Sequence, residues 1–336
     1  ALAERFLELG DHVVVCGRSA DACRGVERRL AGRFPEQKVG AVRCDVGVYA
    51  DQEELGRRAV ELMGGVDIWV ANAGLSMEGK VNVREAAPEA LEAIVRTNLL
   101  GPMFSARAAF GVMAGQPDGG KVFLVDGTGA WGNATPGNAA YGATKRGLTQ
   151  FLKTMQSEAQ GTGVRVHMCS PGMVVTDLLV NSNRDNPKVL KFFNILAEKP
   201  ATVAAWLVPR MRGVQGGGKY FKFLTTWGVM YRFATAAWRC CTATSPSSFK
   251  TGTPPRCDIA SGWARSASSR ASTTCPTCAT RWATSRRRGR RTSSLIHTRR
   301  PWPVPSQPLK SWARRCGRNR LRTRSERLPK RCSRNI

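Results

Sequence analysis

A tyrosine and a lysine four positions apart, Tyr141 and Lys145, have the types and the spacing of a proton-transfer pair. A free tyrosine has a pKa of about 10, so it donates a proton readily but is a poor base at neutral pH. A nearby ammonium group favours the phenolate, and the i, i+4 spacing places both side chains on one face of a helix. The pair therefore predicts proton transfer to or from a substrate oxygen.

Around this pair, strand-like and helix-like segments alternate through residues 1–238. Short apolar segments predict strands, and amphipathic segments between them predict helices, including long ones over 88–113 and 139–159. Such an alternation indicates a parallel sheet with helices on both faces. The predicted fold class is α/β, a Rossmann-like doubly wound parallel sheet.

Polar residues follow five of the predicted strands. In doubly wound sheets, ligands bind beyond the carboxyl ends of the strands, so these residues are the candidates for a binding site. The clusters are 17–19, 45–46, 72–74, 126–130 and 170–172. Each cluster could instead be a set of plain turn residues, but five clusters at five strand ends exceed what turns alone require.

Four short motifs in these segments resemble the short-chain dehydrogenase/reductase family in both order and spacing. They are NAG at 72–74, an Asn at 98 within RTNLLG, YxxxK at 141–145 and PGxxxT at 171–176. The longer strings DGTGAWGNATPGNAAYGATKRGL, HMCSPGMVVTDLL and ATVAAWLVPRMR are similar to the plastid chlorophyll(ide) b reductase branch. That resemblance implies reduction of the C7 formyl group of chlorophyll b or chlorophyllide b to a hydroxymethyl group by NADPH, in the chloroplast and in contact with the thylakoid membrane.

The resemblance also implies roles for the residues around the pair. Tyr141 would be the general acid, Lys145 would in addition hold the cofactor ribose, and Asn98 would hold a water that relays protons to the lysine. The family usually has a serine 13 residues before the tyrosine, where this chain has Thr128. A threonine hydroxyl donates to a carbonyl as a serine hydroxyl does, so we predict that Thr128 orients the substrate oxygen. In the chlorophyll(ide) b reductase branch the hydroxyl more often stands where this chain has Ala130.

The strand-end clusters predict the cofactor. Arg18 directly follows a strand where NAD-dependent enzymes tend to have an acidic residue, and an arginine there can pair with a 2′-phosphate. Together with Ser19 it indicates NADPH. The other residues that the resemblance assigns to the cofactor are Asp45 and Val46 at the adenine, Asn72, Ala73 and Gly74 beside the adenosine ribose, and Pro171, Gly172 and Thr176 at the nicotinamide and pyrophosphate.

Two regions depart from the family pattern. The first strand and its TGxxxGxG loop, which would hold the pyrophosphate at a helix N-terminus, are expected immediately before Ala1. We therefore expect residues 1–238 to form an N-terminally truncated domain that binds cofactor poorly. At the other end, residues 219–238 carry an aromatic stripe, with Phe223, Leu224, Trp227, Met230, Tyr231 and Ala234 on one face. We expect this stripe to form core or the wall of a large apolar pocket, with part of it in contact with a membrane surface.

The last 98 residues differ in composition from the rest. Residues 1–238 carry 28 basic and 22 acidic residues, whereas residues 239–336 carry 24 basic and 2 acidic ones, so the tail holds +22 of the net charge of +28. Its Arg, Ser, Thr and Pro content predicts disorder. The abrupt change after Trp238 favours the product of a reading-frame shift over a polybasic arm for nucleic acid or acidic lipid, so no nucleic-acid partner is expected. The tail's single CxxC, at Cys275 and Cys278, is weak evidence for a metal, and none is expected.

Other functions remain open at this point. A reductase of long-chain keto-lipids would share the YxxxK chemistry and a membrane-borne substrate. A catalytically silent subunit, paired with a copy of itself or with a related reductase, would account for the missing glycine-rich loop. The chain contains no run of 18 apolar residues, so no membrane-spanning helix is predicted.

Overall fold

The computed structural model describes residues 1–181, 193, 195–242 and 295–298. The chain divides into two compact units, residues 1–302 and residues 303–336, and the second lies outside the described residues. The domain boundary predicted after residue 238 stays a prediction. A helix, Thr226–Thr242, runs across that position.

The core of the first unit is a seven-stranded sheet. Its strands are β1 (His12–Gly17), β2 (Val39–Arg43), β3 (Ile68–Ala71), β4 (Gly120–Val125), β5 (Val164–Ser170), β6 (Tyr220–Lys222) and β7 (Leu295–Thr298), in the order β2-β1-β7-β3-β4-β5-β6. Pairing is parallel between β1 and β2, β3 and β4, β4 and β5, and β5 and β6. The predicted α/β doubly wound fold is confirmed.

Helices cover both faces of this sheet. They are α1 (Leu2–Glu8), α2 (Ala20–Arg33), α3 (Tyr49–Met63), α4 (Pro88–Val95), α5 (Gly101–Met113), α6 (Ala139–Glu158), α7 (Asp177–Asn181), α8 (Pro200–Gly213) and α9 (Thr226–Thr242). One apolar cluster lies under α3, α5 and α6, and includes Leu55, Ala109 and Leu148. The other lies under α1, α2 and α8, and includes Phe6, Leu30 and Leu207. The sheet is therefore buried on both faces, and its loops at the strand ends are left to form a site.

Helices α4 and α5 form one continuous helix over residues 88–113, as the sequence predicts. A single π-helical turn, Arg96–Leu100, joins them. Pro102 follows this turn and has no backbone N–H to continue the regular ladder. π-Helical turns of this kind often occur at functional sites, and this one contains Asn98.

Strand β7 was not predicted. It lies between β1 and β3 and is antiparallel to both, with Val13 opposite His297 and Trp69 opposite Ile296. The disorder expected for residues 239–336 is therefore wrong for residues 295–298. The physical reason is that the facing edges of β1 and β3 carry backbone N–H and C=O groups that need partners, and a short extended segment pairs with both rows. The expectation is also wrong for residues 239–242, which are the last residues of α9. For the rest of the tail, which the structure does not describe, disorder stays a prediction.

The aromatic stripe at residues 223–234 is not part of the core. Trp227, Met230 and Tyr231 on α9 are 79%, 57% and 65% exposed. The expectation of a buried stripe is therefore wrong for this helix, because α9 follows the edge strand β6 and no other described element covers that face. Among the residues that the structure describes, no helix is both long and apolar enough to cross a membrane.

Candidate active site

The five predicted clusters lie at one edge of the sheet. Strands β1 to β5 run parallel, so the residues that follow them meet at the carboxyl edge. Helix α6 begins at the same edge and carries the proton-transfer pair in its first two turns.

Tyr141 is partly buried in the first turn of α6. Burial and, to a smaller extent, the nearby carboxylate of Asp126 raise the pKa of its hydroxyl to about 12. The net shift is opposite to the one expected from Lys145 alone, because burial and the carboxylate outweigh the effect of the ammonium group. Tyr141 therefore carries its proton at neutral pH and is suited to donate it.

Lys145 lies one helical turn further along α6 and is 5% exposed. Its Nζ donates a hydrogen bond of 2.9 Å to the Val125 carbonyl and lies 5.5 Å from the centroid of the Tyr141 ring. Burial lowers the pKa of Lys145 to about 8. The lysine is thus held rigidly beside the tyrosine and is close to its own titration at physiological pH.

The loop after β4 packs on α6 through glycines. A methyl group on Gly127 would overlap the Tyr141 hydroxyl, and one on Gly129 would overlap the backbone of Gly142. Gly129 also has a φ of +97°, which disfavours other residues. These glycines let the loop approach the helix closely enough to place Gly127 beside the tyrosine hydroxyl.

Thr128 lies between these two glycines and is exposed. No described residue accepts from or donates to its hydroxyl. Ala130, where the related branch more often has a hydroxyl, is fully buried. Of these two positions, only Thr128 presents its side chain to solvent and hence to a substrate.

Sequence reasoning missed a chain of hydrogen bonds that ends beside the Tyr141–Lys145 pair. The Tyr220 hydroxyl donates to Oδ2 of Asp126 at 2.6 Å, and Trp131 Nε1 donates to the Tyr220 oxygen at 3.3 Å. Asp126 is 5% exposed, and burial raises the pKa of its carboxyl group. An aspartate directly after a buried strand was a signal for its importance. Tyr220 is 94 residues away in sequence, and only the fold brings it near.

Asn98 links the loop after β3 to α6 through hydrogen bonds. Its Oδ1 accepts from the Leu75 N–H at 2.7 Å, and its Nδ2 donates to the Leu75 carbonyl at 2.7 Å and to Thr144 Oγ1 at 3.4 Å. The side chain is fully buried. A water relay to Lys145 stays a prediction, and the role that the contacts show is positional.

The residues predicted to contact the adenosine end lie after β1 and β2. Arg18 is exposed, and Ser19 caps α2 by accepting a hydrogen bond from the Ala22 N–H at 3.3 Å. Asp45 Oδ1 accepts from the Gly47 N–H at 2.9 Å, and Val46 is buried in the core. Ser19, Asp45 and Val46 thus have structural roles, and their contacts with a cofactor stay predictions.

The remaining predicted contacts lie after β3 and β5. Asn72 is exposed and Ala73 is buried, and a methyl group built on Gly74 would meet Asn98 Oδ1 at 3.9 Å, an ordinary van der Waals distance. After β5, Pro171 is partly buried, Gly172 has a φ of +71°, and Thr176 Oγ1 donates to the Val174 carbonyl at 3.3 Å. Within the described residues no cluster of His, Cys, Asp or Glu side chains could hold a metal ion. Cys275 and Cys278 lie outside those residues.

Comparison with known proteins identifies the family. The sequence model described as short chain dehydrogenase matches residues 1–187, more than half of the chain. The chain belongs to the short-chain dehydrogenase family. It is therefore a member of an oxidoreductase family, as the four motifs predict.

Several relatives of this short-chain dehydrogenase are plant proteins. It is 42% identical over 233 residues to the chlorophyll(ide) b reductase NOL, chloroplastic, of Oryza sativa subsp. japonica, which covers 67% of each chain. It is 38% identical over 251 residues to the probable chlorophyll(ide) b reductase NYC1, chloroplastic, of Arabidopsis thaliana, which covers 70% of this chain and 50% of the relative. The chain thus spans between half and two thirds of the length of these relatives.

Solved structures show the same fold. A short-chain type dehydrogenase/reductase from Mycobacterium marinum is 24% identical, with a TM-score of 0.58, and the match covers 67% of this chain and 89% of that one. An alcohol dehydrogenase from the archaeon Thermococcus sibiricus, complexed with 5-hydroxy-NADP, is 21% identical with a TM-score of 0.56, covering 66% and 89%. At these identities the likeness concerns the fold alone.

Proposed function

We propose that this short-chain dehydrogenase reduces the C7 formyl group of chlorophyll b or chlorophyllide b to a hydroxymethyl group, with NADPH as reductant. The observation that carries the proposal is the pair of the partly buried Tyr141 and the buried Lys145 at the carboxyl edge of the sheet. The plant relatives named chlorophyll(ide) b reductase, at 38% and 42% identity, direct it to this substrate.

The chain's own residues supply the proton. During reduction the O–H bond of Tyr141 breaks and its proton passes to the aldehyde oxygen, while the exposed Thr128 hydroxyl donates a hydrogen bond to the same oxygen. Lys145 lies beside the phenolate that remains and stabilises its charge. NADPH, when bound, supplies the hydride to the aldehyde carbon.

The cofactor fits part of this edge. The exposed guanidinium of Arg18 suits a 2′-phosphate, and Gly74 places no side chain where the resemblance expects the ribose. Between β1 and β3, however, lies the antiparallel β7 in place of a strand that leads into a glycine-rich turn. The described residues offer no such turn for the pyrophosphate, so we expect weak cofactor binding by this chain.

The relatives named chloroplastic support a location in the chloroplast. We infer peripheral contact with the thylakoid surface from the exposed face of α9, which consists of Trp227, Met230 and Tyr231. Aromatic and long apolar side chains on one face of a helix bind at the boundary of headgroups and acyl chains.

A second candidate function has one observation in its favour. Strand β7 occupies the position where the resemblance places the phosphate-binding strand. A catalytically silent subunit, assembled with a copy of itself or with a related active reductase, would tolerate that arrangement. Such a subunit would keep the fold and the pigment surface but turn over no substrate.

An assay of the purified chain separates these functions. Chlorophyllide b, chlorophyll b in detergent and a long-chain keto-lipid are each incubated with NADPH, and products are separated by chromatography. We expect hydroxymethyl pigment from the wild type and from Tyr231→Phe, an exposed tyrosine control, and none from Tyr141→Phe. Turnover of the keto-lipid alone contradicts the proposed substrate. If no substrate is turned over at saturating NADPH, the result contradicts the proposed enzymatic activity and favours the catalytically silent subunit.

A further inference from the structure

A buried carboxyl group lies in the site without a part in the proposed proton transfer. Asp126 follows β4 directly and is 5% exposed. Its Oδ2 is held by the Tyr220 hydroxyl at 2.6 Å, whereas its Oδ1 is buried and has no hydrogen-bond partner within the described part of the chain. Burying a carboxylate costs free energy unless a positive charge or donors compensate it. A buried cation nearby that needs a counter-charge would explain the presence of this carboxylate.

Lys145 is that cation. Its ammonium group is almost completely buried, and the hydrogen bond that the structure shows for it goes to the neutral carbonyl of Val125. Burial disfavours its charged form, and the carboxylate of Asp126 acts in the opposite direction by raising the pKa of Lys145. The same carboxylate raises the pKa of Tyr141. One anion therefore favours the protonated form of both members of the pair.

Other groups around Asp126 belong to three elements. On α6 they are Tyr141 and Lys145, on β5 Cys169 and Ser170, and on β6 Tyr220 and Lys222. Burial raises the pKa of the Cys169 thiol, so this residue stays neutral at physiological pH. The Tyr220 hydroxyl donates to the Asp126 carboxylate, and it and the nearby Ser170 side chain favour the charged form of Asp126. Lys222 is exposed, so solvent screens its charge and Lys145 remains the main cationic partner.

We propose that Asp126 is a positioning residue of the proton-transfer site: held by Tyr220, its carboxylate is the counter-charge that keeps Lys145 and Tyr141 protonated before substrate binds. A site that holds both protons is prepared to donate rather than to accept. Asp126 thus favours carbonyl reduction over alcohol oxidation at neutral pH, an assignment of direction that rests on the proposed function. The charge coupling itself does not depend on which substrate binds.

The test is a titration of Lys145 in the folded chain. Side-chain nuclear magnetic resonance of labelled lysine, with Lys145→Arg to assign the signal, gives its midpoint, which we expect at about 8 in the wild type. Asp126→Asn keeps the shape and can still accept from Tyr220 but removes the charge. We expect its Lys145 midpoint to fall by about one pH unit or more. Asp118→Asn, an exposed aspartate just before the opposite end of β4, is the matched control and leaves the midpoint unchanged.

Activity gives a second reading if the proposed function holds. The alkaline limit of pigment reduction moves to lower pH in Asp126→Asn by the same amount as the Lys145 midpoint. If Asp126→Asn does not fold by circular dichroism, Tyr220→Phe replaces it. Loss of the Tyr220 donor favours the neutral form of Asp126, so the Lys145 midpoint falls in this variant too. An unchanged midpoint in a folded variant overturns the proposal, whereas absence of pigment reduction with a shifted midpoint contradicts only the proposed function.

Discussion

The position of the Tyr141 hydroxyl depends on the absence of a side chain at Gly127. A methyl group there would overlap the hydroxyl oxygen. The glycine therefore fixes how closely the loop after β4 approaches the proton donor, and thus where a substrate oxygen can lie between the tyrosine and Thr128.

We expect Gly127→Ala to lower kcat at least tenfold, because the added methyl group displaces the hydroxyl from its place. A tenfold loss corresponds to about 1.4 kcal/mol of transition-state stabilisation. Gly115→Ala is the control, since a methyl group at this exposed glycine meets no atom within 4 Å. Steady-state kinetics of both variants make the comparison, and equal kcat values would show that the loop accommodates the methyl group.

Thr128 gives a second prediction at this scale. Its exposed hydroxyl is the candidate donor to the substrate oxygen, so Thr128→Val should lower turnover at least tenfold, or about 1.4 kcal/mol, with the fold intact. Thr128→Ser keeps the hydroxyl and should retain most of the activity. Unchanged kinetics in the valine variant would mean that Tyr141 and Lys145 work without this group.

The sequence predicted part of this constellation and missed the rest for a physical reason. Tyr141 and Lys145 are four residues apart on one helix, so their proximity follows from helical geometry alone. The contact between Asp126 and Tyr220 depends on the order of β4, β5 and β6 in the sheet, which local pattern does not contain. For the same reason, the sequence did not predict that Asp126 raises the pKa of Tyr141, which is opposite to the effect expected from Lys145.

At the scale of elements, the alternation of apolar and amphipathic segments predicted the positions of strands and helices, but it did not predict β7. Five strands of four residues or more and the helix at 88–113 lie where the apolar pattern predicts them. Strand β7 has no such pattern around it and forms because β1 and β3 both need partners. The need of exposed strand edges for hydrogen-bond partners is a tertiary effect that composition does not contain. Composition alone therefore predicted disorder for the whole tail.

Strand β5 carries a histidine whose burial has a measurable consequence. His167 has no exposed surface, stacks on Phe123 with 4.9 Å between ring centroids, and accepts at Nδ1 from the Lys219 N–H at 3.3 Å. Burial lowers the pKa of His167 from 6.5 to about 4. As the pH falls, the unfolded chain therefore binds this proton at a higher pH than the folded chain does. The stability that the neutral imidazole contributes is present above pH 6.5 and is lost as the pH falls toward 4, to a limit of about 3 kcal/mol.

His167→Asn tests this linkage. Asparagine keeps an acceptor for the Lys219 N–H and cannot titrate in this range, so the loss of unfolding free energy between about pH 7 and about pH 4.5 should be smaller than in the wild type. His12→Asn is the matched control, because His12 also accepts at Nδ1 from a backbone N–H, that of Lys38, but is only partly buried. Urea unfolding at the two pH values gives the slopes, and an unchanged slope in His167→Asn would contradict the assignment.

At the scale of the whole molecule, charge and exposed apolar surface have separate locations in the chain. Residues 1–238 are close to neutral for their length, and the excess positive charge lies in the tail. The exposed apolar face, Trp227, Met230 and Tyr231, lies on α9, where the apolar pattern had suggested core. Periodicity showed that one face of this helix is apolar but could not show whether another element covers it.

If this face contacts a membrane, replacing its two aromatic residues should weaken binding to vesicles of chloroplast lipids. We expect Trp227→Ser with Tyr231→Ser to reduce the bound fraction several-fold, because burial of each aromatic side chain in the interface stabilises binding by about 1.5 to 3 kcal/mol at most. Val83→Ser, at an exposed apolar residue outside α9, should have no effect. Vesicle sedimentation gives the fractions, and equal binding of the double variant would exclude this face as the contact.

In the proposed reaction, this short-chain dehydrogenase transfers a hydride from NADPH to the formyl carbon of a chlorophyll b pigment while Tyr141 supplies the proton. The most direct measurement is mass spectrometry of the pigment after incubation of chlorophyllide b with NADPH deuterated at the transferred position. We predict a hydroxymethyl product that carries a single deuterium, formed by the wild type and absent with Tyr141→Phe. An unlabelled product, or a labelled one formed equally well by Tyr141→Phe, would contradict the account.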